Sequence, residues 1–156
     1  MTEKTFIDKL AFIFIKDRQI LMTLSKGKDT YYIPGGKREG NETDIEALSR
    51  EVEEELTVKI IPETVEHYGT FEAQAHGKPE GTVVRMTCYE ADFDSELQPS
   101  SEIQDIAYYT YAQREIVGPV DQIIFDDLKE KNLIDWNNNL LLAKPYPLNF
   151  FCKKSK

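Results

Sequence analysis

The stretch GKREGNETDIEALSREVEEELTV, residues 36–58, decides the fold of this chain. Its second part has helical periodicity, because apolar residues recur at steps of three, four and four positions. These residues are Ile45, Leu48, Val52 and Leu56. The spacing predicts a helix over residues 43–56 whose apolar stripe faces a core.

Three carboxylates share one side of this predicted helix. At about 100° per residue, Glu51, Glu54 and Glu55 lie within roughly 100° of one another, beside the apolar stripe. Like charges at such spacing destabilise a helix, and Arg50 relieves only part of the repulsion. The cluster suits Mg²⁺ or Mn²⁺, which favour oxygen ligands. The alternative is a solvated acidic face, which is the common role of acidic runs on helices.

The segment before the helix predicts a close approach of backbone to a ligand. Residues 30–33 read as a short strand, and Pro34, Gly35 and Gly36 read as the turn that stops it. Glycines let backbone carbonyls and amides approach a ligand closely. We therefore expect the turn to bring a carbonyl group near the three glutamates.

The rest of the chain predicts an α/β protein. Residues 6–15 and 19–25 read as the two strands of a hairpin. Further strands are predicted within residues 67–75, 82–93 and 106–111, and a second helix over residues 120–131. This mixture favours helices packed on either side of a mixed β-sheet. At 156 residues, one domain spanning residues 1–156 is expected.

Charge and composition restrict the partners. The net charge is −9, from 19 basic and 28 acidic residues, which disfavours binding to nucleic acid. No apolar stretch approaches the length of a membrane span. The N-terminus does not resemble a secretory signal, and Cys88 and Cys152 stand far apart, as in reduced proteins. We expect a cytoplasmic protein with neither a nucleic-acid nor a membrane partner.

The C-terminal arm, residues 139–156, is apolar over much of its length. It contains two prolines and ends in a lysine-rich tail. Two interpretations stay open, a segment that completes the core and a contact that forms a homodimer. A membrane contact is the weakest interpretation, because a dozen apolar residues with three lysines bind a bilayer marginally.

The spacing of the decisive stretch resembles the Nudix box, G-x5-E-x7-R-E-U-x-E-E-x-G-U, in which U is a bulky aliphatic residue. Gly36, Glu42 and residues 50–58 meet eight of its nine fixed positions. The exception is Thr57, which replaces the last glycine. A β-branched residue resists the left-handed conformation that glycine adopts there, so we expect the helix to exit differently. The resemblance implies a Nudix-type α/β/α sandwich with a mixed β-sheet.

The resemblance also implies a reaction, the Mg²⁺-dependent hydrolysis of a nucleoside diphosphate linked to another group X. Mn²⁺ is the alternative metal ion. The implied metal ligands are the Gly35 carbonyl and the carboxylates of Glu51, Glu54 and Glu55. Glu51 is alternatively the base that activates the attacking water. The implied catalytic residues are Glu51, Glu54 and Arg50, and Arg50 is expected to form an orienting ion pair with Glu42.

Four further residues are candidate contacts with the substrate, a small-molecule nucleotide. Lys37 is placed to meet a phosphate, and Arg85 either meets a phosphate or faces solvent. Tyr32 either stacks on a base or belongs to the core. Glu102 is either an auxiliary acid over the site or a solvated loop residue. His76 is expected to be exposed and incidental.

The identity of the substrate stays open at this level. The short chain and the Pro-Gly-Gly-Lys segment favour a nucleoside triphosphate, such as oxidised dGTP. ADP-ribose or another nucleotide sugar is the alternative substrate. A non-catalytic, nucleotide-sensing regulatory module is the alternative function, although the intact glutamates disfavour it.

Overall fold

The computed structural model describes residues 3–100 and 102–136. Within these residues the chain forms β1 (Thr5–Phe12), β2 (Ile15–Lys16), β3 (Gln19–Ser25), β4 (Gly35–Lys37), α1 (Asp44–Leu56), β5 (Glu66–Gln74), β6 (Thr82–Glu90), β7 (Ile103–Tyr109) and α2 (Pro119–Glu130). Short 3₁₀ helices cover Pro62–Thr64 and Tyr111–Ile116. The predicted C-terminal arm, residues 139–156, lies outside the described residues.

The strands form two sheets. The four-stranded sheet has the order β4-β1-β6-β5 and is mixed, because β1 runs parallel to β6 while the other two pairs are antiparallel. The three-stranded sheet has the order β2-β3-β7 and is antiparallel. Strands of both sheets line the candidate site that is described below.

Neighbouring residues of β1 belong to two separate hydrophobic cores. Leu10 and Phe12 pack in the core that contains Leu48 of α1, whereas Ala11 packs in the core that contains Phe125 of α2. Because successive side chains of a strand point to opposite faces, the two helices lie on opposite sides of the four-stranded sheet. The predicted α/β/α sandwich with a mixed sheet is therefore confirmed.

The predicted hairpin of residues 6–15 and 19–25 is wrong in its first strand. β1 ends at Phe12. Of the predicted first strand, only the part that forms β2 pairs with β3, around a turn in which Asp17 and Arg18 have positive φ angles. The residues on either side of this break, from Leu10 to Phe14, are all buried. A continuous apolar run therefore concealed the point at which the chain changes sheets.

The predicted turn at residues 34–36 is also wrong. Gly35 and Gly36 lie in β4, which pairs antiparallel with β1. Gly35 has a φ angle of 147°, and a Cβ atom there would lie 2.0 Å from the carbonyl oxygen of Leu10. Glycine is required because β4 packs tightly against β1 in a backbone conformation that other residues rarely adopt.

Helix α1 begins at a capping box, as local sequence favours. The hydroxyl of Thr43 accepts from the Glu46 N–H, and the Glu46 carboxylate accepts from the Thr43 N–H. Ile45 is 40 % exposed, so the prediction that it belongs to the buried apolar stripe is wrong. The buried face consists of Ala47, Leu48, Val52 and Leu56.

Helix α1 ends in the left-handed conformation, contrary to the expectation based on Thr57. Thr57 has φ 62° and ψ 27°, and its N–H donates to the Glu53 carbonyl at 3.0 Å. Its hydroxyl donates to the Gln98 carbonyl at 2.9 Å. This hydrogen bond offsets part of the strain that a β-branched residue carries in this conformation.

We expect Thr57→Gly to be more stable than Thr57→Ala by about 1 kcal/mol, because only alanine keeps a Cβ atom in the left-handed conformation. Urea unfolding monitored by circular dichroism measures the difference. Ser49, inside α1, is the control, and there Gly should be less stable than Ala by about 1 kcal/mol. The same order of stabilities at both positions would contradict the left-handed helix exit.

Candidate active site

Arg50 lies at the centre of a carboxylate cluster on α1 and the loop before it. Its Nε and Nη2 atoms donate to the two oxygens of Glu42, at 2.7 and 2.8 Å. Its Nη1 atom donates to Glu51 at 2.9 Å and to Glu54 at 3.3 Å. Nη2 also donates to the Lys37 carbonyl at 3.0 Å. The predicted Arg50–Glu42 ion pair is thus present, and the guanidinium links β4, the loop and α1.

The contacts of Arg50 change the acidity of its partners. Hydrogen bonds from the guanidinium lower the pKa of Glu42 to about 2, so this carboxylate stays charged. Glu39 adds a longer contact, with 3.6 Å between its Oε2 atom and the Nε atom of Arg50. The carboxylates in turn raise the pKa of Arg50. The ion pair therefore persists over the whole physiological pH range.

Glu55 is the most enclosed of the three helix glutamates. Its Oε1 atom accepts from the Gly35 N–H at 3.0 Å, and its Oε2 atom accepts from the Thr23 hydroxyl at 3.4 Å. Burial raises its pKa to about 7, and the nearby Glu51 and Glu54 charges act in the same direction. Burial is also the main cause of the raised pKa of Glu51, which Arg50 opposes. The site thus holds negative charge that is poorly solvated.

Gly36 makes room for Glu51. A Cβ atom at position 36 would lie 2.4 Å from the carboxyl carbon of Glu51. The side chain of Glu51 is only 15 % exposed, so it has little freedom to move away. Gly36, the first glycine of the Nudix-box motif, therefore fixes the position of the Glu51 carboxylate. It does not set the course of a turn.

A cavity of about 280 Å³, here called the acidic cavity, collects most of the predicted site residues. Those that line it are Gly35, Glu51, Glu54, Glu55, Tyr32 and Glu102. The Glu102 carbonyl accepts from the Lys26 N–H at 2.9 Å, which fastens the segment before β7 beside the end of β3. The structure therefore brings together predicted site residues from three separate parts of the chain.

The donor atoms of the acidic cavity fit a hard divalent cation. Carboxylates and backbone carbonyls are the ligands that Mg²⁺ and Mn²⁺ prefer, and a cation would compensate the poorly solvated charge of Glu51 and Glu55. Arg50 holds Glu51 and Glu54 in this structure. Across residues 3–100 and 102–136, no three His, Cys, Asp or Glu side chains are grouped to hold a metal ion. The donor atoms thus fit a metal in their chemistry, while Arg50 holds two of the carboxylates in this structure.

A second cavity, here called the adjoining cavity, has a volume of about 220 Å³. It shares Lys9, Tyr32 and Met86 with the acidic cavity. Lys37 lines the adjoining cavity and not the acidic one. His76, which we expected to be incidental, is exposed and contributes to the same wall.

The adjoining cavity contains a residue that sequence reasoning missed. Asp121, in the first turn of α2, is 1 % exposed. Its Oδ2 atom accepts from the Ile33 N–H at 3.1 Å, and its Oδ1 atom has no hydrogen-bond partner among the described residues. Burial raises its pKa to about 7, against the opposing effects of the Ile33 N–H and the charge of Lys9. In the sequence, an acidic residue near the start of a helix is explained by its favourable interaction with the helix dipole. Nothing in the sequence therefore indicates that Asp121 is buried.

Arg85 lies away from both cavities. It alternates along β6 with Val84 and Met86, which pack in the core shared with α2, so it projects from the other face of the sheet. Its Nε atom donates to Glu72 at 2.6 Å, and its guanidinium lies 4.1 Å from the centre of the Phe6 ring. This placement does not support the predicted phosphate contact at Arg85.

A family model described as the NUDIX domain matches residues 8–127, which include every residue of both cavities named above. The chain belongs to the Nudix family. Members of this family are pyrophosphohydrolases that generally hydrolyse nucleoside diphosphates linked to X and use divalent metal ions. None of the curated proteins matches the chain. No helix of the described part of the chain is long and apolar enough to cross a membrane.

Solved structures share the Nudix fold with this chain at low sequence identity. The solution structure of the E. coli ORF135 protein is 22% identical, with a TM-score of 0.64, and the match covers 92% of this chain and 96% of that one. The MutT protein from Methanosarcina mazei Go1 is 15% identical, with a TM-score of 0.67 and coverages of 85% and 99%. A UDP-X diphosphatase is 18% identical, with a TM-score of 0.60 and coverages of 85% and 66%.

We expect Gly36→Ala to destabilise the protein by about 1–3 kcal/mol, because the added methyl group overlaps the Glu51 carboxylate. In a Glu51→Ala background, the same substitution should cost less than about 0.5 kcal/mol, because the carboxylate is gone. Chemical unfolding of the two single variants and the double variant measures this coupling. Additive effects would contradict the packing of Glu51 on Gly36.

The pKa of Asp121 predicts how stability depends on pH. The folded pKa of about 7 exceeds the ordinary value of 3.8, so between these values the folded state binds the proton more tightly. The contribution of Asp121 to the free energy of unfolding therefore falls as pH rises from about 4 to 7. Asp121→Asn should remove this dependence, which amounts to at most about 1.4 kcal/mol per pH unit. Unfolding curves of both proteins across this range test it, and parallel pH profiles would contradict it.

Proposed function

We propose that this protein hydrolyses a nucleoside diphosphate linked to X with Mg²⁺ as its metal ion, and that a nucleoside triphosphate is its favoured substrate. The observation that carries the proposal is the meeting of Glu51, Glu54, Glu55 and Gly35 at one cavity. Mn²⁺ is the alternative ion, since it favours the same oxygen ligands.

The charge of the cavity explains why a metal is needed. Attack of water on a phosphoanhydride requires neutralised phosphate charge, a nucleophilic water and a stabilised leaving oxygen, and bound divalent ions supply all three. An acidic cavity in a chain of net charge −9 would otherwise repel a polyphosphate. The proposed ligands are the carboxylates of Glu51, Glu54 and Glu55 and the carbonyl of Gly35.

The remaining residues of the site are proposed to orient the glutamates or to bind the substrate. Arg50 acts as an orienting residue, because its contacts reach both Glu51 and Glu54. Glu51 serves as a ligand or as the base that takes the proton of the attacking water, and its raised pKa suits the second role. Tyr32 lines both cavities and Lys37 one of them, so both are proposed substrate contacts. Glu102 remains the proposed auxiliary acid.

The choice of a nucleoside triphosphate rests on sequence and fold similarity. The MutT protein of Methanosarcina mazei and the UDP-X diphosphatase both share this fold. The name of the second protein makes a nucleotide sugar the alternative substrate, since one fold serves several functions. The complete set of glutamates favours an enzyme over a non-catalytic sensing module. A cytoplasmic location and a homodimer contact through the C-terminal arm stay predictions from the sequence.

We expect Glu54→Gln to lower turnover by about 10³-fold or more, because it removes a charged ligand of the metal ion. Formation of nucleoside mono- or diphosphate from a panel of nucleoside triphosphates, ADP-ribose and nucleotide sugars, followed by chromatography with Mg²⁺ present, measures the effect and ranks the substrates. Glu53→Gln is the matched control, because Glu53 lies on the same helix, is exposed and does not line the acidic cavity. It should retain turnover within about two-fold of the original protein. Near-normal turnover in Glu54→Gln would overturn the metal assignment.

A further inference from the structure

Lys9 is a partly buried basic residue of β1 that borders both cavities. Ile7 and Ala11, its neighbours on the same face of the strand, belong to the core shared with α2 or pack against it. The Lys9 side chain therefore projects to this side of the sheet. Among the described residues that line the acidic cavity, Lys9 is the only one with a basic side chain. Its charge thus lies where the two cavities meet.

The ammonium group of Lys9 has no anionic partner in the described part of the chain. No hydrogen bond and no ion pair within 4.0 Å joins it to another described residue. Burial lowers the pKa of Lys9, whereas the charges of Asp121, Glu51 and Glu55 raise it without direct contact. A partly buried charge without a partner is unfavourable, so this group favours the binding of an anion.

A phosphate group is the anion that the proposed reaction brings to this place. The carboxylates proposed to hold the metal ion line the same cavity as Lys9, so phosphates bound to that ion lie in the cavity that Lys9 borders. A phosphate oxygen accepts a charge-assisted hydrogen bond from an ammonium group. Lys37, which lies opposite Lys9 in the pairing of β1 with β4, lines only the adjoining cavity and does not border these carboxylates.

The charge of Lys9 also acts on cations in the acidic cavity. Glu51 and Glu55 affect the pKa of Lys9 without contacting it, so their charges and that of Lys9 interact across the cavity. A divalent ion held by these carboxylates is therefore repelled by the ammonium group, and poor solvation strengthens the repulsion. A phosphate bound to both cations replaces this repulsion by two attractions.

We propose that Lys9 binds a phosphate of the substrate and that its charge weakens the binding of divalent ions until this phosphate is present. Metal ion and substrate then bind more tightly together than apart, which is positive coupling between two ligands. The inference rests on the proposed function, because it uses the metal ligands that are proposed there. It predicts effects of opposite sign on the two ligands when the charge of Lys9 is removed.

The binding of Mn²⁺ without nucleotide tests the repulsion. Lys9→Met keeps the length of the side chain and removes its charge, so we expect Mn²⁺ to bind about five-fold more tightly. The signal of the free ion in electron paramagnetic resonance measures the affinity. Lys9→Arg, which keeps the charge, should stay within about two-fold of the original protein. Unchanged or weaker binding of Mn²⁺ in Lys9→Met would contradict the inference.

The binding of an α,β-methylene nucleoside triphosphate tests the phosphate contact. This analogue keeps the phosphate charges, and the bridge between its first two phosphates is not hydrolysed. With saturating Mg²⁺, calorimetry should show about ten-fold weaker binding in Lys9→Met and less than three-fold weaker binding in Lys9→Arg. Equal affinities in Lys9→Met and the original protein would contradict the contact.

Lys59→Met is the control for both measurements. Lys59 is exposed and lines neither cavity, so the same loss of charge should change each affinity less than two-fold. A general disturbance of the site by Lys9→Met would weaken both ligands, and this result would overturn the inference. Thermal unfolding shows that each variant is folded. If Lys9→Met does not fold, Lys9→Gln removes the same charge with a polar side chain and takes its place.

Hydrolysis by the original protein separates this inference from the proposed function. Opposite effects of Lys9→Met on Mn²⁺ and on the analogue, without hydrolysis of any nucleotide by the original protein, would overturn the proposed function alone. Metal-dependent hydrolysis without these opposite effects would overturn the role of Lys9 alone. If neither the original protein nor Lys9→Met binds Mn²⁺, both proposals are wrong.

Discussion

The guanidinium group of Arg50 is the interaction on which the site depends. Three carboxylates on one side of a short helix repel one another, and a helix with such a face would pay for it in stability without a cation beside it. Arg50 contacts Glu51 and Glu54 on the helix and binds Glu42 with two parallel hydrogen bonds. Charge-assisted, bidentate bonds of this kind are strong and directional. They hold the loop, the strand and the helix in one arrangement.

Local sequence signals were sufficient where the structure is itself local. The apolar spacing of Leu48, Val52 and Leu56 predicted the span and the buried face of α1, although not its left-handed exit at Thr57. The same reasoning failed where the course of the chain depends on strands that are distant in the sequence. The apolar run up to Phe14 gives no sign that the chain changes sheets, and the glycines at 35 and 36 resemble a turn because their tight neighbours, β1 and Glu51, are invisible in local sequence.

The acidic cavity was more predictable than the adjoining one for the same reason. Its carboxylates lie on one helix, where spacing alone brings them together. Asp121 becomes interesting only through its burial beside Lys9, which follows from the packing of α2 on β1 and β6. The role of Arg85 stayed open in the sequence for a related reason, because a one-residue change along β6 moves a side chain to the opposite face. The register of β6 had to be known before the face of the sheet on which Arg85 lies could be assigned.

The contact between Gly36 and Glu51 has a consequence for attempts to alter this protein. The carboxylate rests directly on the main chain of a strand, with no intermediate side chain whose rotation could absorb a disturbance. Libraries of variants that randomise positions 35 or 36 would therefore contain many destabilised proteins. Diversity is better tolerated in the exposed loop around His76 to Glu80, where the chain borders a cavity yet supports little of the framework.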